Sequence, residues 1–211
     1  MSIELIITAA GQSQRFGRPK QFHIIDGVPM IQKTIEAFSQ NTLITSCIIT
    51  MNKSSVQKVI DIIQNISSHF PIRVISGSDT RMRSVKKAVE HSKEEYILIH
   101  DGARPFVTEA LINNILSKRH TNSAIIPGIP CVDTMKQLNG NYVKKTLNRD
   151  SIIRVQTPQL FKRDELIRAY AAYEGKEVTD ESQLLEALNI PIYVVSGDES
   201  NIKITFPQDC I

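Results

Sequence analysis

Cysteine is scarce: the 211 residues hold three, Cys47, Cys131 and Cys210, far apart and without a Cys-x-x-Cys pair. That removes the usual signature of a zinc site or a disulfide scaffold and makes a reduced, cytoplasmic setting the expectation. Long apolar runs are missing too. No stretch reaches the roughly 18 residues that suggest a membrane span. The opening MSIELIITAAG lacks a basic leader, so a first buried strand is expected there rather than a secretory signal. Excess charge is small, since 25 Lys and Arg against 22 Asp and Glu leave +3 with no massed basic run. A nucleic-acid surface is therefore not expected, whereas a local basic cluster around an anionic small molecule would leave such a mild excess. Neither G-x-x-x-x-G-K-S/T nor G-x-G-x-x-G occurs, which sets aside P-loop kinases and ATPases and the dinucleotide-binding fold. There is no internal repeat and no low-complexity segment.

What is present fits one α/β domain over residues 1–211. β-rich apolar runs at Ile3–Thr8, Cys47–Met51, Ile72–Ile75, Tyr96–Ile99 and Ala124–Ile126 predict strands. Helical periodicity predicts helices at Met30–Phe38, Ser54–Ile66, Arg81–His91 and Glu109–Arg119. This alternation predicts a mostly parallel sheet flanked by helices, with ligands bound beyond the carboxyl ends of its strands. After Pro127 the pattern changes. Asp133–Leu138 and Tyr142–Leu147 flank Asn139-Gly140, a pair suited to a tight hairpin, and predict an extended arm over about 133–149. Such an arm buries little by itself, so it is expected to lie against something else, a second subunit or the surface of its own chain. A strand near Arg154–Gln156, helices at Asp164–Tyr173 and Glu181–Leu188, a strand at Ile192–Val195 and a last strand in NIKITFPQD complete the reading.

The chemistry concentrates where predicted strands end. Ala9, Ala10 and Gly11 open into QSQRFGRPK, so small residues admit a ligand to the backbone while Arg15 and Lys20 can neutralise a polyphosphate. Asp79 and Asp101 each follow a later strand, where a metal or a ribose can be met, and Asp101 is the better metal candidate. His100 is expected to be a packed or solvent-facing strand-end residue rather than a catalytic one.

Taken together, AAG with RFGRPKQF, HDGARPF, DTMK, NRDSIIRVQTPQLF, VTDESQLLE and NIKIT resemble the 2-C-methyl-D-erythritol 4-phosphate cytidylyltransferases of the non-mevalonate isoprenoid pathway, from about Ile3 to Asp209. The resemblance implies a Rossmann-like nucleotidyltransferase fold, CTP and a sugar-alcohol phosphate as substrates, Mg²⁺ as cofactor and a homodimer joined through the arm. It implies Arg15, Lys20 and Lys203 as catalytic cations, and Ala9, Ala10, Gly11, Asp79 and Ser84 as the CTP pocket. It also implies Asp101, Arg104, Thr134, Arg149, Thr157 and Thr179 as residues meeting or supporting the second substrate, with Asp101 at the metal and Arg149 reaching the neighbouring subunit.

Three departures stand out. Ser13 occupies a position where the family usually has glycine, Ser78 another, and Gly102 stands where alanine or serine is usual. The alternatives are a ribitol 5-phosphate cytidylyltransferase, from which VTDESQLLE and GARPF lean away, and a non-catalytic nucleotide-binding regulatory module, expected to have lost one of the basic residues that are all present.

Overall fold

The computed structural model describes residues 2–11, 13–175 and 177–210; Gln12, part of the phosphate loop read from the sequence, lies outside them. Strand β1 (Ile3–Thr8) leads through the short pair β2 (Ile24–Ile25) and β3 (Val28–Pro29) into α1 (Met30–Ser39). There follow β4 (Ser46–Met51), α2 (Val56–Ile63), β5 (Ile72–Ser76), α3 (Arg81–His91), β6 (Tyr96–Asp101) and α4 (Glu109–Ser117). After β7 (Ala124–Pro130) come the arm strands β8 (Lys136–Asn139) and β9 (Tyr142–Thr146). The chain then continues through β10 (Ile153–Val155), β11 (Gln159–Lys162), α5 (Arg163–Ala172), α6 (Ser182–Glu186) and β12 (Tyr193–Ser196).

Eight strands form the main sheet in the order β10-β7-β11-β6-β1-β4-β5, with β12 also paired to β7. Its β6-β1-β4-β5 half is parallel, and β12 runs parallel to β7. β10 and β11 are antiparallel to their neighbours. Both faces are covered, which is why the central strands read as apolar runs rather than as alternating patterns. Ile3, Leu5 and Ile7 of β1 pack with Ile31, Ile35 and Phe38 of α1 on one face. Ile6 faces the other side, with Val85 and Val89 of α3 and Leu166 of α5.

Several expectations need correction. Helix α2 covers Val56–Ile63 after a short 3-10 turn at Lys53–Ser55, and α6 covers only Ser182–Glu186. NIKIT is not a strand: the segment crosses the strand ends instead of lying beside one, and Ile204 donates its N–H to the Ala103 carbonyl at 2.9 Å. The sequence reading assigned no strand to Gln159–Lys162, because its single apolar pair, Leu160 and Phe161, gives no periodic signal. The arm is a hairpin paired only with itself among the described residues, turning at Gly140 with φ +58°.

Candidate active site

Register brings the strand-end residues together. Thr8 pairs with Thr50 on one side and Asp101 on the other, and Met51 pairs with Ser76. The strands therefore end at one edge, and the segments Ala9–Gly11, Gly77–Thr80 and Gly102–Arg104 leave it together. They enclose a cleft of about 710 Å³ whose lining includes Ala9, Ala10, Gly11, Asp79 and Ser84. Gly77 makes the close approach possible, since a Cβ there would lie 2.5 Å from the Ala10 Cβ.

The phosphate loop is held from beneath by Gln21, which is buried. Its Nε2 donates to the carbonyls of Ala9 at 2.7 Å and Gly11 at 3.0 Å, while its Oε1 accepts from the Ser13 hydroxyl at 3.3 Å. That hydroxyl also accepts the Lys20 N–H at 3.3 Å. Ser13 sits at φ +54°, the left-handed conformation that glycine adopts freely and other residues rarely do. A small apolar cluster of Phe16, Ile25, Met30, Ala103 and Ile204 then ties the loop to the last segment of the chain.

That cluster is what makes two distant lysines neighbours. Lys20 Nζ donates to the Ile204 carbonyl at 2.7 Å, and Lys203 Nζ lies 2.7 Å from Asp101 Oδ2. Burial, reinforced by repulsion from Lys203, lowers the Lys20 pKa. Arg15 stays exposed at the rim, its guanidinium 5.9 Å from the centre of the Phe206 ring. Asp101 is the negative centre of the site. Burial works to raise its pKa, but Lys203, Arg81 and Arg104 outweigh that and hold the carboxyl well below the usual carboxylate range.

Arg104 and Thr157 stand behind Asp101 rather than in the cleft. Arg104 Nε is 3.6 Å from Asp101 Oδ2 and its Nη1 donates to the Asn201 carbonyl at 2.7 Å. The Thr157 hydroxyl oxygen accepts the Asp101 N–H at 3.0 Å and lies 3.1 Å from His100 Nδ1. His100 Nε2 is 3.0 Å from the Arg104 carbonyl, which can only accept, so Nε2 carries the proton and Nδ1 accepts from Thr157. Burial lowers the His100 pKa to about 4. The imidazole is therefore a neutral strut, packed rather than facing solvent. Thr134, Arg149 and Thr179 do not line the cleft: Arg149 Nη1 bonds the Val132 carbonyl on the arm, and the Thr179 N–H donates to Gln183 Oε1 at 2.9 Å.

Three residues that the sequence reading did not single out belong to this network: Gln21, Arg81 and Glu181. Nothing in their spacing marks them, because their partners lie on other elements. Among the described residues no group of three or more His, Cys, Asp or Glu could hold a metal ion. Of the two carboxylates that line the cleft, Asp101 is paired with Lys203 and Arg81 and Asp79 with Arg83, so these residues fit Mg²⁺ only as an ion that keeps much of its water and takes few protein ligands.

Known proteins are similar to this chain in sequence and in fold. The family model described as 2-C-methyl-D-erythritol 4-phosphate cytidylyltransferase matches residues 3–211. A protein of that name from Syntrophus aciditrophicus is 35% identical over 214 residues, which is 98% of this chain and 92% of the relative. A bifunctional enzyme IspD/IspF from Desulfotalea psychrophila is 34% identical over 98% of this chain, and the chain spans 54% of that longer relative. In fold, the chain is similar to the crystal structure of 4-diphosphocytidyl-2C-methyl-D-erythritol synthase from Anaerococcus prevotii. The TM-score is 0.87 at 33% identity, covering 99% of this chain and 94% of that one. With its family model matched across nearly its whole length, this chain belongs to the 2-C-methyl-D-erythritol 4-phosphate cytidylyltransferase family.

Proposed function

We propose that the chain transfers CMP from CTP to 2-C-methyl-D-erythritol 4-phosphate and releases pyrophosphate, a step in making isoprenoid precursors. The observation that carries this reading is the convergence of Arg15, Lys20 and Lys203 on one cleft around Asp101. A phosphate oxygen of the alcohol phosphate attacks the α-phosphorus of CTP; the new O–P bond forms as the bond to the β-phosphate oxygen breaks, and pyrophosphate leaves with that electron pair. Negative charge grows on the crowded phosphorus and the leaving group, and fixed cations stabilise it without reorganising. Lys20 and Lys203, anchored at Ile204 and Asp101, are fixed in that sense; Arg15, at the mobile-solvent rim, reaches the outer phosphates. The attacking phosphate is already ionised near neutral pH, so no general base is needed. His100 cannot serve as one, because it is fully buried with both ring nitrogens engaged.

Mg²⁺, carried by the triphosphate with Asp101 as its protein contact, would supply further charge neutralisation. The arm supports a homodimer in which Arg149 reaches the partner's site: Val132, Leu138, Tyr142 and Val143 are exposed apolar residues on and beside a hairpin whose strands pair only with each other among the described residues. Three free thiols fit a reducing cytoplasm. Among the described residues no helix is long and apolar enough to cross a membrane. The test is pyrophosphate release with CTP, UTP, ATP and GTP, each offered 2-C-methyl-D-erythritol 4-phosphate or ribitol 5-phosphate, with and without chelator. Release confined to CTP, the erythritol phosphate and free Mg²⁺ is expected. Equal turnover of ATP and CTP, or of the two alcohol phosphates, would overturn the assignment.

A further inference from the structure

Arg81 opens α3 just beyond the Gly77–Thr80 turn, and its side chain joins two carboxylates that lie far apart in sequence. Nη1 lies 2.9 and 2.8 Å from the two oxygens of Glu181, and Nε lies 3.5 Å from Asp101 Oδ1. Glu181 is fully buried and also accepts from the Tyr170 hydroxyl at 3.4 Å. A carboxylate withdrawn from water is strongly unfavourable unless it is paired. Glu181 stands at the start of α6 yet makes no side-chain cap there, so its hydrogen bonds go to Arg81 and Tyr170 and not to its own helix. Burial raises the Glu181 pKa and Arg81 opposes that rise; burial also works against the Arg81 charge, but Glu181 and Asp101 outweigh it.

Arg81 is not sealed inside the protein. Its side chain keeps 27% exposure and lines the cleft. A guanidinium has five N–H donors in a fixed fork. Glu181 and Asp101 engage Nη1 and Nε, and Nη2 has no hydrogen-bond partner among the described residues. Nη1 and Nε are thus held by protein on either flank, while Nη2 remains available to an anion in the cleft.

We infer that Glu181 is a positioning residue of this active site: by fixing the Arg81 guanidinium it braces Asp101 opposite Lys203 and presents Arg81 N–H groups to a phosphate oxygen of the bound substrates. Asp101 is then steadied from two sides, by Lys203 on Oδ2 and Arg81 on Oδ1. The chemistry recognised is a phosphoryl oxygen, which either CTP or the alcohol phosphate can offer. This inference rests on the cytidylyl-transfer reading above.

The experiment measures kcat and KM for both substrates in the wild type, Glu181→Gln, Arg81→Gln and the double variant, with thermal melting of each. Glu181→Gln keeps the shape of the side chain and removes its charge. Each single variant is expected to lose about tenfold to a hundredfold in kcat/KM while folded at the assay temperature. The double variant should be no worse than Arg81→Gln, because Glu181 acts through Arg81 and contacting residues are not additive. A raised KM for the alcohol phosphate would place the contact on that phosphate, and a raised KM for CTP would place it on the triphosphate. Should Glu181→Gln fail to fold, Glu181→Asp carries the same expectation, since it keeps the charge but withdraws it by one methylene. Wild-type kinetics in the folded Glu181 variant, or full additivity in the double variant, would overturn the inference. An inactive wild type would instead refute cytidylyl transfer itself.

Discussion

Acidification should weaken the protein through His100, a buried imidazole that the fold keeps neutral. In the fold the imidazole is neutral, with Nε2–H donating to the Arg104 carbonyl and Nδ1 accepting from Thr157. Burial lowers its pKa from 6.5 to about 4; the Arg104 carbonyl and Asp101 oppose this, while the charges of Arg104 and Lys203 add to it. In the unfolded chain the ordinary value returns. The folded value is the lower one, so the unfolded state takes up the proton first: stability is complete above about pH 6.5 and is lost as pH falls through about 4. At 1.36 kcal/mol per decade, that difference amounts to about 3 kcal/mol. Asp101 has a depressed pKa, so its contribution begins to be lost as pH falls through the ordinary carboxylate range, at the acid edge of this window, and it is common to the wild type and His100→Gln. The assay is urea unfolding of wild type and His100→Gln at about pH 7 and about pH 4. His100→Gln can preserve both hydrogen bonds without titrating, so its stability should fall by about 3 kcal/mol less than that of the wild type. An equal acid loss in both proteins would refute the argument. In the folded protein the ring is protonated only as pH falls through about 4, which would leave the Thr157 hydroxyl without its acceptor, so activity should decline there.

Lys20→Ala should lower the single-turnover rate by about a hundredfold to a thousandfold, or about 2.7–4 kcal/mol, while CTP dissociation changes much less. Strongly weakened CTP binding with an unchanged chemical step would make Lys20 a ground-state ligand only. Ser13→Gly should melt higher than Ser13→Ala by about 1 kcal/mol of stability, because both lose the hydroxyl bonds but only glycine relieves the positive φ. Thermal melts with alanine at or above glycine would contradict this. Light scattering should report a dimer, and Leu138→Asp with Val143→Asp on the arm should shift it toward monomer; an active wild-type monomer at assay concentration would exclude a shared site.

The sheet core was legible because its strands are buried on both faces and its helices carry long apolar stripes; β1 and α3 were placed to the residue. Strand β11 was not, since two apolar residues cannot set a period. NIKIT carries strand-like composition, but its partners are Ala103 and Lys20 rather than a neighbouring strand, which no local pattern reveals. The cleft residues Ala9, Ala10, Lys20, Asp101 and Lys203 could be recognised from ordered motifs; the parallel register brings the strand ends at Ala9 and Asp101 together, and the cluster around Phe16 and Ile204 adds the two lysines. Gln21 and Glu181 stayed hidden for a physical reason. Their roles are hydrogen bonds to the Ala9 carbonyl and to Arg81, made across the fold and invisible in spacing.

Phosphorus NMR of the product tests the central claim most directly. With CTP, 2-C-methyl-D-erythritol 4-phosphate and Mg²⁺, the account predicts two mutually coupled phosphorus resonances of a new phosphoanhydride, formed one-for-one with pyrophosphate, and neither with Asp101→Asn. Free CMP with no coupled pair would show hydrolysis instead of transfer, and would contradict the account.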